Sequence, residues 1–379
     1  MLKRLSARSV AALLAAAALA GCSSWNPFAP DRPAPKELQP IVAPITAAQV
    51  WKESIGSVDF PMVPAVNGDV VTFASSDGTV VALDTASGRP VWRASVGAKL
   101  SAGVGSDGKV AAVVTRGGDL VALEAGQVKW KKALGSRVAT APLVAGGRVF
   151  VLGVDRAVQA FDAADGAKLW QVQRPGDPLT LAQEGVVAAF KDTLVVGQGP
   201  RMAGLDPNVS TIRWEVTVGS PRGANEVERL ADLVGPAVRT GDLLCARSFQ
   251  AAVGCVDADR GRIMWTKQVG GTDAIAGDSE MLFGADGSDR ITAWKTPSGD
   301  VAWTSEAVMN RGVGAPGVVG NSVVFGDRDG TLHWFSRAKG ETQLRSTTDG
   351  NPISVPPVVA GGTLIVVTRS GGVFAFRPG

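Results

Sequence analysis

Residues able to do chemistry are sparse in this chain of 379 residues and widely spaced. It has one histidine, His333, three cysteines, Cys22, Cys245 and Cys255, and no tyrosine. Proton transfer in active sites draws mostly on histidine, carboxylates, lysine, tyrosine and cysteine. Catalysis would therefore lean on carboxylates, lysines or a lone imidazole, and the chain reads as a binding scaffold, not an enzyme. His333 lies in the apolar run Thr331 to Phe335 with no second histidine to join it, so it reads as a strand residue and no metal site is expected. Asp77, Asp155, Asp286 and Asp329 fall at turns, where a side chain that bonds its own backbone is favoured without any calcium.

The elements that must carry these residues begin with an export signal. Lys3, Arg4 and Arg8 precede an apolar run from Val10 to Ala20, followed by Gly21 and Cys22. The run is too short to span a bilayer, so residues 1–21 read as a cleaved signal. The sequence Leu19-Ala20-Gly21-Cys22 resembles the bacterial lipobox. That resemblance implies acylation of Cys22 and anchoring through its lipid chains alone. Ser23 stands where aspartate would retain such a protein in the inner membrane, which implies the periplasmic face of the outer membrane. Residues 22–45 hold Pro27, Pro30, Pro33, Pro35, Pro40 and Pro44, and read as an extended tether rising about 3 Å per residue. The chain carries 38 basic and 35 acidic residues, and loss of the signal leaves 35 of each. Near-neutrality without a basic cluster argues against nucleic acid. In an oxidising compartment the two remaining cysteines, Cys245 and Cys255, are expected to pair.

From residue 46 onward one pattern recurs about every 40 residues. Trp51, Trp92, Trp130, Trp170, Trp214, Trp265 and Trp303 mark one position in it and Leu344 takes the eighth place, with spacings of 41, 38, 40, 44, 51, 38 and 41. Between these marks lie valine-rich runs of four to six residues separated by turn residues. Such runs make propeller blades and not helical solenoids. In the clearest copy, Val63–Val66, Val70–Ser75, Thr79–Leu83 and Pro90–Val96 read as four strands. The last copy, Ile353 to Phe376, has three strands, while Gln49 to Ile55 is a fourth strand with no preceding three. The expectation for residues 46–379 is an all-β, eight-bladed β-propeller of four-stranded antiparallel blades, its last blade closed by the N-terminal strand. Cys245 and Cys255 then fall opposite one another on the second and third strands of one blade, at the places of Thr72 and Ala82.

Ala82, Asp84, Gly88 and Trp92 resemble the tryptophan-docking motif AxDxxTGxxxW of PQQ-type propellers. The motif recurs at Ala160, Asp162, Gly166 and Trp170, and at Cys255, Asp257, Gly261 and Trp265. A further copy, at Ala293, Gly299 and Trp303, has Lys295 in the acidic place. The resemblance implies a structural role, with the indole packed between blades. Two families share this architecture. Quinoprotein dehydrogenases hold a quinone over calcium and carry adjacent cysteines and long insertions, which this chain lacks. A PQQ-dependent or other small-ligand-binding propeller is the alternative reading.

The whole mature chain resembles the BamB lipoproteins of the β-barrel assembly machinery. Residues Asn225 to Asp232 look like that family's NExxRLxD loop, and Val227 and Leu230 within it suit a short helical turn. Leu179, Thr180, Leu181 and Ala182 stand where the family has LxLR. The resemblance implies that Leu179, Leu181, Arg229 and Asp232 meet the periplasmic POTRA domains of BamA. Other lipoproteins of the complex would be met indirectly, and barrel precursors are a further candidate partner. It implies no cofactor. Ala182 replaces the motif's arginine and Val234 replaces a second aspartate, which leaves the leucines as the apolar anchor.

Overall fold

The computed structural model describes residues 33–174 and 179–379. The signal, Cys22, the first part of the tether and Pro178 lie outside the described residues. Among the described residues, eight sheets of four antiparallel strands follow one another along the chain. Blade 1 comprises Ala65–Asn67, Val70–Ala74, Thr79–Asp84 and Pro90–Ser95, close to the sequence reading. The inner strand of each blade touches that of the next, and the inner strand of blade 8, Val358–Ala360, touches that of blade 1. The ring is therefore closed. Blade 8 is completed by Ala47–Ser54, which pairs antiparallel with Gly372–Pro378 so that Trp51 faces Ala375.

The second and third strands are buried on both faces, which is why they read as near-continuous valine, leucine and alanine. The outer strands alternate and expose one face. Each outer strand also bulges just before its marker residue. The pairing slips by one residue at Val91, Leu169 and Met264, among others, and the same slip occurs in all eight blades. The side chain opposite the tryptophan is small, as in Ala82 to Trp92 and Ala160 to Trp170. Blade 7 inverts the pair. Trp334 stands on the third strand opposite Leu344, which explains why the eighth marker is not an indole.

Docking between blades follows from these positions. Trp51 Nε1 donates to the Thr85 carbonyl of blade 1 at 2.9 Å, Trp130 to Ala163 of blade 3 at 3.0 Å, and Trp265 to Thr296 of blade 6 at 2.8 Å. Each of these three indoles lies on a glycine of the next blade. A Cβ at Gly88 would sit 2.7 Å from the Trp51 ring, and one at Gly299 would sit 2.6 Å from the Trp265 ring. Both glycines also take φ near +71°, so the motif's glycine is required twice over. The motif's aspartate caps the same turn: Asp84 Oδ1 accepts from the Ser87 N–H at 2.8 Å, and those bonds, led by the Ser87 hydroxyl, hold its pKa below the usual carboxylate value. Removing one such buried indole costs about 3–5 kcal/mol.

Three local features complete the comparison with the sequence reading. Lys36 to Gln39, read as free tether, is hydrogen-bonded to blades 6 and 7, because Lys36 N–H donates to Met309 O at 2.9 Å and Arg345 Nη1 to Gln39 O at 2.7 Å. Cys245 and Cys255 are direct cross-strand partners 4.0 Å apart at Cα and form a disulfide. His333 is buried on the third strand of blade 7, where its Nε2 lies 2.9 Å from Asp327 Oδ2.

Candidate docking surface

In a four-stranded antiparallel blade, the link from the outer strand to the next inner strand lies at the end opposite the docking turn. Two such links meet on this face. Residues 179–186 lead into blade 4 at Val187–Phe190, and residues 218–232 lead from blade 4 into blade 5 at Leu233–Thr240.

Asp232 joins the two links. Its Oδ2 accepts the Leu181 N–H at 2.8 Å, its carbonyl accepts the Phe249 N–H at 2.9 Å, and Arg156 Nη2 lies 4.0 Å from Oδ1. The carboxylate is half-buried, and its partners are Leu181 and Arg156, not Arg229. It thus acts as a strut between the links. Thr180 Oγ1 donates to Val154 O at 2.9 Å and fixes the first link to blade 3. Leu179 is 38% exposed, whereas Leu181 is half-buried and lines a cavity of about 50 Å³ with Arg156, Gln198 and Leu233. Neither leucine belongs to the inner strand.

The second link caps itself. Asn225 Oδ1 accepts the Glu228 N–H at 2.9 Å, and Glu228 accepts from Asn225 Nδ2 and from the Ala224 N–H, both at 2.8 Å. This reciprocal arrangement resembles a helix capping box. It is followed by one turn only: Arg229 N–H donates to Asn225 O at 3.1 Å and Leu230 N–H to Val227 O at 3.2 Å. Arg229 is exposed, as is Val227 at 68%. Val234 is buried in the inner strand of blade 5, so that position presents nothing to a partner. Ala182 is exposed.

Sequence reading missed Arg156 and Glu184. Arg156 holds φ +67° at the hairpin position that Gly78 and Gly118 occupy in blades 1 and 2. A long side chain kept where glycine would relieve strain was the available signal. Glu184 lines a cavity of about 390 Å³ at the ring axis, with Met62, Asp273 and Arg369. Its carboxylate accepts only the Ala141 N–H, at 2.9 Å, and burial pushes its pKa up to about 8. Burial also raises that of Asp273 against the Thr272 hydroxyl bond. No three His, Cys, Asp or Glu side chains among the described residues gather to hold a metal. The axis therefore does not fit a quinone over calcium.

The molecule is an eight-bladed propeller locked by tryptophan docking, with its assembled polar and apolar surface on interblade links. A family model described as outer membrane protein assembly factor BamB matches residues 76–305 and 296–378. The protein of that name from Burkholderia pseudomallei is 35% identical over 100% of this chain and 99% of its own. The one from Bordetella pertussis is 33% identical over 98% and 97%. The crystal structure of BamB from Moraxella catarrhalis superposes with a TM-score of 0.78 at 24% identity, covering 88% of this chain and all of that one. A quinohemoprotein alcohol dehydrogenase from Comamonas testosteroni shares the fold, with a TM-score of 0.65 at 15% identity over 87% of this chain and 76% of its own. The chain belongs to the BamB family of outer membrane protein assembly factors.

Proposed function

We propose that this protein is a non-catalytic scaffold of the β-barrel assembly machinery, held at the periplasmic face of the outer membrane by lipid on Cys22. The surface of residues 179–186 and 218–232 binds the POTRA domains of BamA. The observation that carries the reading is the bond from the Leu181 N–H to Asp232 Oδ2, which turns two links into one surface presenting Leu179 and Val227. Exposed apolar side chains on a fixed frame are what a partner's pocket can desolvate without a large ordering cost. Family membership and the poor fit of the axis to a quinone site both favour this reading over an enzyme.

Pull-down of BamA from detergent-solubilised envelopes tests it. Wild type is expected to recover BamA, and Leu179→Asp to recover at least tenfold less with an unchanged melting temperature. Failure of the wild type to recover BamA refutes the scaffold reading. Equal recovery by Leu179→Asp refutes the site alone.

A further inference from the structure

The stretch from Lys36 to Thr46 is a strap that crosses the outside of blade 7 from one face of the ring to the other. Met309, which accepts the Lys36 N–H, lies in the link from the outer strand of blade 6, Val301–Ser305, to the inner strand of blade 7, Gly317–Val319. That link is of the same kind as residues 179–186 and 218–232, so it lies on the same face. Farther along, Gln39 O meets Arg345 on the outer strand of blade 7, Thr342–Thr347. Ile45 then packs on the apolar cluster between blades 7 and 8, and Thr46 O accepts the Gly379 N–H at 3.0 Å on the opposite face.

The strap has a built seat. Arg311 is held by Asp327 Oδ2 at 2.9 Å and Asp329 Oδ2 at 3.0 Å, and Asp327 is itself fully buried against His333. This leaves Arg311 Nη1 facing Lys36 O at 3.4 Å. Burial and the nearby Arg311 lower the pKa of Arg345, whose guanidinium bonds a carbonyl, Gln39 O, and no carboxylate among the described residues. Two neighbouring guanidinium groups are a repulsive arrangement unless acceptors lie between them. Carbonyls of the strap supply those acceptors.

We propose that the strap fixes where the anchored end of the chain leaves the propeller, at the face of the interblade links, so that the docking face is the one turned toward the membrane. This rests on acylation of Cys22. Cys22 lies thirteen residues before Pro35 in the sequence, a contour length of at most about 45 Å.

The test uses the mature lipoprotein with single labels at Ser288→Cys or Ser298→Cys. Both residues are exposed, and they sit at opposite ends of the five-residue strand Ile291–Lys295 of blade 6, about 17 Å apart along it. In vesicles of phosphatidylethanolamine and phosphatidylglycerol with a rhodamine-labelled headgroup, energy transfer from 288 is expected to exceed that from 298 about twofold. Equal or reversed transfer overturns the orientation. Lys36→Pro, which deletes the N–H, combined with Arg345→Ala should bring the two signals together, and an unchanged difference overturns the role of the strap. Intact mass separates the premises, since a mature N-terminus without acyl chains overturns the anchor reading alone. Independently of lipid, a spin label at Pro35→Cys in detergent should lie closer to one at 288 than to one at 298, and the reverse order overturns the strap itself.

Discussion

Replacing Glu184 by glutamine should remove most of the pH dependence of stability expected of the native protein between mildly acidic and mildly basic solution. Burial raises the carboxyl from 4.5 to about 8, so in that interval the folded protein keeps a proton that the unfolded chain has released. Stability on this account is greatest below about pH 4.5, declines as pH rises and levels off above about pH 8. The full interval at about 1.4 kcal/mol per pH unit would give roughly 5 kcal/mol. Glu184 lines an open channel and is only half-buried by its surface, so water screens the charge and about 2 kcal/mol is the reasonable magnitude. Glutamine keeps an acceptor for the Ala141 N–H and cannot ionise. Urea unfolding at pH 5, 6.5 and 8.5 reads the difference. Wild type should lose about 2 kcal/mol more than Glu184→Gln from the first pH to the last, with the two most alike at pH 5. Asp273, whose pKa burial also raises, is present in both proteins and cancels. Parallel pH profiles would show that Glu184 ionises freely in the folded state and would refute the account.

Asp232→Ala should leave the Leu181 N–H unpaired at a cost of about 1–3 kcal/mol, raise amide exchange across residues 179–186 and weaken BamA recovery, whereas Asp232→Asn keeps an acceptor and should do much less. Gly299→Ala puts a methyl group 2.6 Å from the Trp265 ring at φ +71°, so a loss of about 2–4 kcal/mol in denaturant unfolding is expected, with none at Gly241, where a Cβ meets nothing, beyond the strain of its own positive φ. Reduction of Cys245–Cys255, which are ten residues apart, should lower stability by about 3 kcal/mol on the chain-entropy account without changing BamA recovery, because both sulfurs are buried in blade 5 away from the two links.

The blades were legible because the docking chemistry repeats. Tryptophan, a small residue opposite it, a glycine in the left-handed region and a capping aspartate recur together, and each has a local physical reason visible in one copy. Departures from the motif are legible too once volume is counted across the strand pair, since Leu344 needs the indole of Trp334 opposite it to fill the same space. Blade 4 shows the limit. Ser210 takes φ +61° between Asp206 and Ile212, where the other copies use glycine, and no pattern in the sequence marks it as the equivalent turn. The bulge before each marker was also hidden, because a slipped residue such as Val91 looks like any other strand residue until its partner is known.

The links could not be read the same way, and the reason lies in how a propeller is built. A docking turn must meet the indole of its neighbour, so its length and residue types are fixed. A link from one blade's outer strand to the next inner strand has only to span the gap, and added residues there cost little closure entropy. Residues 218–232 use that freedom, yet what orders them comes from elsewhere: the Asp232 carboxylate closes on a peptide N–H 51 residues earlier, at Leu181. Backbone partners leave no side-chain signature, so any residue at position 181 except proline could supply that N–H. The same holds for the strap, whose Lys36 and Gln39 bond through main-chain atoms and whose composition therefore reads as free tether. In both places the recognisable side chain is the one on the receiving side, Asp232 or Arg345. A half-buried charged residue with no oppositely charged partner in its own repeat is thus the sign of a distant segment held by its backbone.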